Sequence, residues 1–264
     1  MKQLGTFLEK LGHRVSTLGY IVRNPTYAAA RRGGAARDLY RLLNRGWLRP
    51  EHIGTVLDVG ANEGQFIHIA RLLFPRASIL AFEPNPRLLH SLKELLVPDQ
   101  GDALFAVACG REAATMPLHL AAFSPASSLL HASDFQAPGF PAIKAAETVQ
   151  VRVERLDQIL ARSSPPPAKP YLLKLDVQGF ELEVLRGATG ILPEVAVIVC
   201  EVNTAPFYEG QAPFEEIYAF LREHHFRLVD VGEPIRAGED GEVVYFDVAF
   251  RNTRDTEAIR SSAS

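Results

Sequence analysis

Residues 55–66 read TVLDVGANEGQF, and this stretch decides the fold. An apolar run, Thr55 to Val59, carries one carboxylate at Asp58 and ends in Gly60. Gly64 follows, then apolar residues at helical spacing: Phe66, Ile69, Ala70 and Leu73. The pattern predicts a buried strand, a glycine turn and an amphipathic helix, the opening of an α/β nucleotide-binding unit. The two glycines would let the backbone approach a ligand where a Cβ would collide. Asn62 and Glu63 stand where the helix begins and are expected to cap its unpaired N–H groups.

The same grammar repeats outward from this unit. SILAFEPNP, residues 78–86, is a second buried strand ending in Glu83, followed by turn chemistry and a helix with Leu88, Leu89, Leu92, Leu95 and Leu96 on its inner side. A third strand is expected from Ala103 to Cys109. Thr115–Ala122 and Glu147–Val153 read as strands flanking the hydroxyl-rich FSPASSLLHASDF, an insertion without helical pattern. Tyr171–Leu175 is a buried strand interrupted by Lys174 and closed by Asp176, with a helix from near Glu181. VAVIVCEVN, residues 195–203, is a further buried strand, followed by a helix over 213–225. Two strands near 226–231 and 243–250 complete an antiparallel hairpin. The expected fold class is therefore α/β: a mostly parallel seven-stranded, Rossmann-like sheet with a C-terminal antiparallel hairpin.

The bulk numbers bound the rest. The 264 residues carry a formal charge of −3, with 47% hydrophobic and 22% charged residues, as in ordinary globular domains. That charge is uneven. Residues 1–50 hold ten Lys/Arg against two acids, +8, leaving 18 against 29, or −11, for the remainder. Three segments follow: a basic helical N-terminal extension (1–50), an α/β domain (51–252) and a polar tail (253–264). In the extension, Leu4, Leu8, Leu11, Val15, Leu18 and Val22 mark an amphipathic helix softened by Gly5, Gly12 and Gly19, and a second helical stretch lies near Ala36–Arg45. Three readings compete for it: a lid over the site, an oligomer contact, or a peripheral contact with an anionic membrane. No apolar run approaches the roughly 18–20 residues that span a bilayer. Cys109 and Cys200 each close an apolar run, which points to buried reduced thiols in a cytoplasmic protein, with peripheral membrane association resting on the extension. The acidic remainder disfavours nucleic acid as a partner.

Asp58, Glu83, Asp176 and Glu201 all fall at or near the carboxyl ends of expected parallel strands, where open α/β sheets bind ligands. Four acids on one edge are costly without partners, and a cationic ligand would answer them. Glu83 lies 23 residues past Gly60, the distance at which a doubly wound fold places the acid for a ribose diol. A dinucleotide pyrophosphate fits poorly, because Gly60-x-x-x-Gly64 departs from G-x-G-x-x-G and Glu63 would oppose phosphate at the helix start.

DVGANEGQF, FEPNP, the SSL at 127–129 and above all LKLDVQGFELEVLRGA followed by CEVN resemble the FkbM family of S-adenosylmethionine-dependent methyltransferases, over roughly residues 55–250. The resemblance implies a class I methyltransferase fold and O-methylation of a hydroxyl on a sugar, glycolipid or secondary metabolite. It implies that Gly60, Ala61, Asn62, Gly64 and Gln65 line the methionine end of the cofactor. Glu83 would take the ribose hydroxyls with Asn85 supporting the turn, Val107 and Ala108 would flank adenine, and Asp58 would face the ammonium. For the acceptor, Asp176 is the expected base or hydroxyl orienter, held by Lys174 or Glu181. A mutual Lys174–Glu181 ion pair bracing the turn is the plainer reading of those two. Ser127, Ser128 and His131 are the expected substrate contacts. A magnesium ion on Asp176, Glu201 and Asn203 is the alternative route to an activated hydroxyl. Two rivals to the enzyme reading stay open: a cofactor-binding module without turnover, and a membrane or assembly role for the basic extension.

Overall fold

A computed structural model describes residues 37–122, 124–135, 145–237 and 241–254, with isolated positions at 19, 22, 27, 28 and 31. From residue 37 on, the described elements begin with helix α1 (Arg37–Leu43) and alternate β1 (Thr55–Val59), α2 (Gln65–Leu73), β2 (Ser78–Phe82), α3 (Leu89–Leu95) and β3 (Ala103–Phe105). It then builds β4 (Ala108–Cys109), β5 (Ala114–Ala121), β6 (Ala145–Glu154) and α4 (Leu156–Ala161). It closes with β7 (Tyr171–Leu175), α5 (Glu181–Gly187), β8 (Val195–Asn203), α6 (Phe214–Glu223), β9 (Phe226–Val231), β10 (Ile235–Ala237) and β11 (Glu242–Asn252).

The main sheet runs β10-β11-β8-β7-β1-β2-β3, with β9 also paired to β11. Neighbours from β8 to β3 are parallel, and β11 is antiparallel to β8, β9 and β10. This is the expected mostly parallel α/β sheet, with eight strands where seven were expected; the three-residue β10 is too short to carry a periodic signal. Strand order reverses beside β1, since the chain moves outward through β2 and β3 and returns as β7 on the other side. A crevice must open at the carboxyl ends of β1 and β7.

Every residue of β1 and of β7 is buried, as a strand covered on both faces requires. Alternation sends Leu57, Val59, Leu173 and Leu175 into the core under α4, α5 and α6. Val56 and Leu172 go to the opposite core under α1 and α2, where Tyr40, Leu42 and Leu43 of α1 are also buried. The basic segment is tied down further on, where Trp47 Nε1 donates to Asp230 Oδ2 at 3.0 Å and Arg45 lies 3.3 Å from the same carboxylate. Of the expected amphipathic helix from Leu4 to Val22, only Gly19 and Val22 are among the described residues, both helical. No helix among the described residues is long and apolar enough to cross a membrane.

Two expectations are corrected here. The single strand from Ala103 to Cys109 is divided: β3 pairs with β2, while β4 leaves for a separate three-stranded sheet, β4-β6-β5. The stretch between β4 and β7, expected to hold no helix, also contains one, α4, whose six residues show too little periodicity to be seen in sequence.

The small sheet is locked to α5 by a close approach. A Cβ on Gly187 would lie 1.9 Å from the Gly110 carbonyl oxygen, so the helix can seat only without a side chain there. Gly187→Ala is expected to destabilise the protein by on the order of 1–3 kcal/mol, as overpacking does. The urea midpoint measures it, and an unchanged midpoint would contradict this packing account.

Candidate active site

The crevice beside β1 is an open cleft of about 640 Å³, counting its solvent-filled mouth, lined by residues from the ends of β1, β2, β4 and β7 and from the insertion. Its floor is made by the turn after β1. Gly60, at φ 78°, is obligatory for a reason internal to the fold, because a Cβ would lie 2.0 Å from the Asp176 carbonyl oxygen. Gly64, at φ 85°, stands at the N-cap of α2, and a Cβ there would meet Leu95 at 2.3 Å. The glycines thus make room for β7 and α3 rather than for a ligand. The expected caps also differ: no side chain caps α2, and Asn62 Oδ1 instead accepts the Ser124 hydroxyl at 2.8 Å, pinning the insertion to the turn.

Glu83 is buried at the end of β2. The Asn62 N–H donates to its Oε2 and the Asn85 N–H to its Oε1, each at 2.8 Å. One donor per oxygen fixes the carboxylate plane and leaves lone pairs for a ligand at the cleft. Burial raises its pKa, with the two N–H groups pulling the other way. Val107, Ala108, Cys109, Leu118, Leu129 and Phe180 form an apolar wall. A carboxylate fixed to accept two hydroxyls beside an apolar slot fits a nucleoside such as that of S-adenosylmethionine.

Of the residues expected at the cofactor, Gly60, Asn62, Glu83, Asn85, Val107 and Ala108 line the cleft, whereas Asp58, Ala61, Gly64 and Gln65 do not. Asp58 is fully buried with its Oδ1 3.1 Å from Lys174 Nζ. It answers a lysine of the neighbouring strand, not a ligand ammonium. Lys174 Nζ also donates to the Gly60 carbonyl at 2.6 Å and stands 3.7 Å from Asp176 Oδ2. Burial raises the Asp58 pKa despite that lysine. For Lys174 burial works downward, but Asp58 and Asp176 outweigh it and raise the ammonium's pKa. Gln65 points along the surface, its Nε2 3.5 Å from Glu63 Oε2.

The acceptor side is corrected in three places. Lys174 and Glu181 are not joined as an ion pair; the lysine serves Asp58 and Asp176, and Glu181 Oε1 accepts the Val177 and Gly179 N–H groups at 3.1 Å each. His131 does not line the cleft; it is exposed and packs on His119, ring centroids 4.2 Å apart. Asp176 and Glu201 do not converge as metal ligands, because Gln178 Nε2 stands between them and donates to both at 2.8 Å. Asn203 is buried at the same end of β8, and among the described residues no three His, Cys, Asp or Glu side chains gather as a metal site. Asp176, Ser127 and Ser128 do line the cleft. The Ser128 hydroxyl is already committed, donating to the Gln178 carbonyl at 2.7 Å and accepting the Leu130 N–H at 3.0 Å. Gln178 and Tyr208 escaped the sequence reading. Gln178 sits inside the motif at 173–188 but carries no charge to attract notice, and Tyr208 follows β8 in an irregular loop.

Glu181 supplies a pH-dependent test of the turn. Burial, opposed by its N–H donors, pushes its pKa from 4.5 up to about 7. The folded chain therefore keeps a proton that the unfolded chain loses, and stability from this group falls as pH rises through that window. Glu181→Gln keeps an oxygen acceptor for both N–H groups. It is expected to match the wild type near pH 5 and to exceed it by on the order of 2–3 kcal/mol near pH 8. Urea unfolding at both values measures the difference, and a gap that does not change with pH would contradict the assignment.

With this geometry in place, comparison with known proteins is direct. The model of the Methyltransferase FkbM domain matches residues 58–228. Methyltransferase 1 of Beauveria bassiana is 30% identical over 161 residues, covering 55% of this chain and 64% of that protein. The 2-O-methyltransferase NoeI of Sinorhizobium fredii is 27% identical over 210 residues, 75% of this chain and 79% of its own. Among solved structures, the methyltransferase FkbM of Methylobacillus flagellatus superposes with a TM-score of 0.52 at 14% identity, over 81% of this chain and 48% of that one. The fold is that of class I methyltransferases, and the chain belongs to the FkbM methyltransferase family.

Proposed function

We propose that the protein transfers a methyl group from S-adenosylmethionine to a hydroxyl oxygen of a sugar, glycolipid or secondary metabolite. The observation that carries this reading is the buried carboxylate of Glu83, fixed by two N–H donors at the edge of a cleft that also contains Asp176. When bound, the cofactor supplies an electrophilic methyl on a sulfonium. Glu83 would hold its ribose hydroxyls through charge-assisted hydrogen bonds, and the apolar wall through Ala108 and Phe180 would hold adenine. The cleft need not match the cofactor's charge with Asp58, whose carboxylate is already opposed by Lys174.

Asp176 is partly exposed, its side chain 39% accessible, and stands at the end of β7 where an acceptor can reach it. Its role is to orient the acceptor hydroxyl and take its proton as the oxygen–carbon bond forms. Lys174, paired with both Asp58 and Asp176, ties that carboxylate to the sheet. Oxygen as the accepting atom agrees with the name of the Sinorhizobium relative, a 2-O-methyltransferase.

The test is incubation with methyl-labelled S-adenosylmethionine and a panel of methyl glycosides of neutral hexoses, deoxyhexoses and hexuronates, with products mapped by mass spectrometry. Label on a hydroxyl oxygen is expected. Label confined to nitrogen or carbon acceptors, in a parallel panel of amines and enols, would overturn the oxygen assignment.

A further inference from the structure

Between Asp176 and Glu201 lies a hydrogen-bond network that the proposed reaction does not yet use. Gln178 holds a left-handed backbone conformation, φ 56°, which is uncommon outside glycine and turns its side chain back toward the strand ends. Its carbonyl accepts the Ser128 hydroxyl at 2.7 Å, so the insertion holds the backbone in place. Its Nε2 spends one N–H on Asp176 Oδ1 and the other on Glu201 Oε1, both at 2.8 Å. Its Oε1 accepts the hydroxyl of buried Tyr208 at 2.8 Å. The reversed amide would set its oxygen against two carboxyl oxygens, and Tyr208, as donor, selects the orientation found. The Tyr208 oxygen also lies 3.1 Å from the Ala126 carbonyl, the longer of its two contacts.

We propose that Gln178, oriented by Tyr208, is the positioning residue that aims Asp176 at the acceptor. This rests on the methyl-transfer reading above. With Oδ1 held by the amide and Oδ2 3.7 Å from Lys174 Nζ, the rotation of the carboxylate at the cleft is set from both sides. The same amide separates Asp176 from Glu201, so the cleft's carboxylate does not have to rotate away from a like group. Asp176 and Gln178 line the cleft, whereas Glu201 and Tyr208 do not, so the arrangement is a working carboxylate backed by a support.

The experiment pairs crystal structures with kinetics for Gln178→Leu, Tyr208→Phe and the double variant, using S-adenosylhomocysteine and the glycoside panel. S-adenosylhomocysteine should bind all three within about threefold of wild type, since Glu83 is untouched. In Q178L the Asp176 carboxylate should leave its place, and kcat should fall about 100-fold while the acceptor KM stays within threefold, the cost of a misplaced group of this size. Y208F should lose about tenfold, and the double variant should be no slower than Q178L, because both act through one amide. An unmoved Asp176 in Q178L, or losses that multiply in the double variant, would overturn the proposal. Should the wild type turn over none of the glycosides, the position of Asp176 in Q178L still decides: displacement supports the proposal and its absence refutes it. Failure of the methyl-transfer reading would show separately, as absence of S-adenosylhomocysteine binding by the wild type.

Discussion

Glu83→Ala is expected to weaken S-adenosylhomocysteine binding at least 100-fold, about 2.8 kcal/mol at 1.4 kcal/mol per tenfold. Two losses combine. The ribose hydroxyls lose a charged acceptor, and the Asn62 and Asn85 N–H groups, each 2.8 Å from the carboxylate, lose the partner that shapes the turn around the ligand. Leaving those donors unpaired also costs the fold about 1–3 kcal/mol, so the alanine variant needs a control. Glu83→Gln supplies it, because the amide oxygen still serves one N–H and the size is kept. For E83Q a tenfold loss of affinity by titration calorimetry is expected, with a drop in the urea midpoint smaller than that of E83A, because one N–H keeps its acceptor while the other faces the amide NH2. An E83A protein that folds and binds like wild type would remove the cleft's principal anchor from the account.

The second large effect falls on turnover. Asp176→Asn is expected to lower kcat by about 10²–10⁴, the usual worth of a positioned acid or base, while cofactor affinity changes less than threefold. The separation follows from placement: Glu83 ends β2 and Asp176 follows β7, with β1 between them. A loss of cofactor affinity in D176N equal to that in E83A would contradict a division of labour between the two carboxylates. Retained turnover would instead assign the proton to another group.

Much of this layout is legible in the sequence because parallel strands are buried on both faces. Thr55–Val59, Ser78–Phe82, Tyr171–Leu175 and Val195–Asn203 are near-continuous apolar runs, so each acid at or near their ends stands out. The distance from Gly60 to Glu83 then places an acid beside the glycine turn, since neighbouring parallel strands end together. Partners between strands are harder to read. Asp58 and Lys174 each occupy the fourth position of a five-residue strand, and the parallel register sets them side by side. Only that register shows the pair; along the chain itself the carboxylates beside the interrupting lysine are Asp176 and Glu181. The glycines misled for a related reason. What crowds Gly60 is the carbonyl of Asp176, far along the chain, and no local pattern shows it. In the small sheet β5 and β6 are legible as Thr115–Ala122 and Glu147–Val153, but the two-residue β4, the six-residue α4 and the Gln178–Tyr208 contact depend on short or irregular segments, where periodicity carries no information. His131 stands close in sequence to the cleft residues Ser127 and Ser128, yet beyond the bridge between His119 and Ser128 it packs on His119.

A crystal structure with S-adenosylhomocysteine bound tests the central claim most directly. Both ribose hydroxyls are expected within hydrogen-bond distance of Glu83, adenine against Ala108 and Phe180, and the sulfur on the Asp176 side of the cleft. A ligand seated elsewhere, or one whose ribose avoids Glu83, would contradict it.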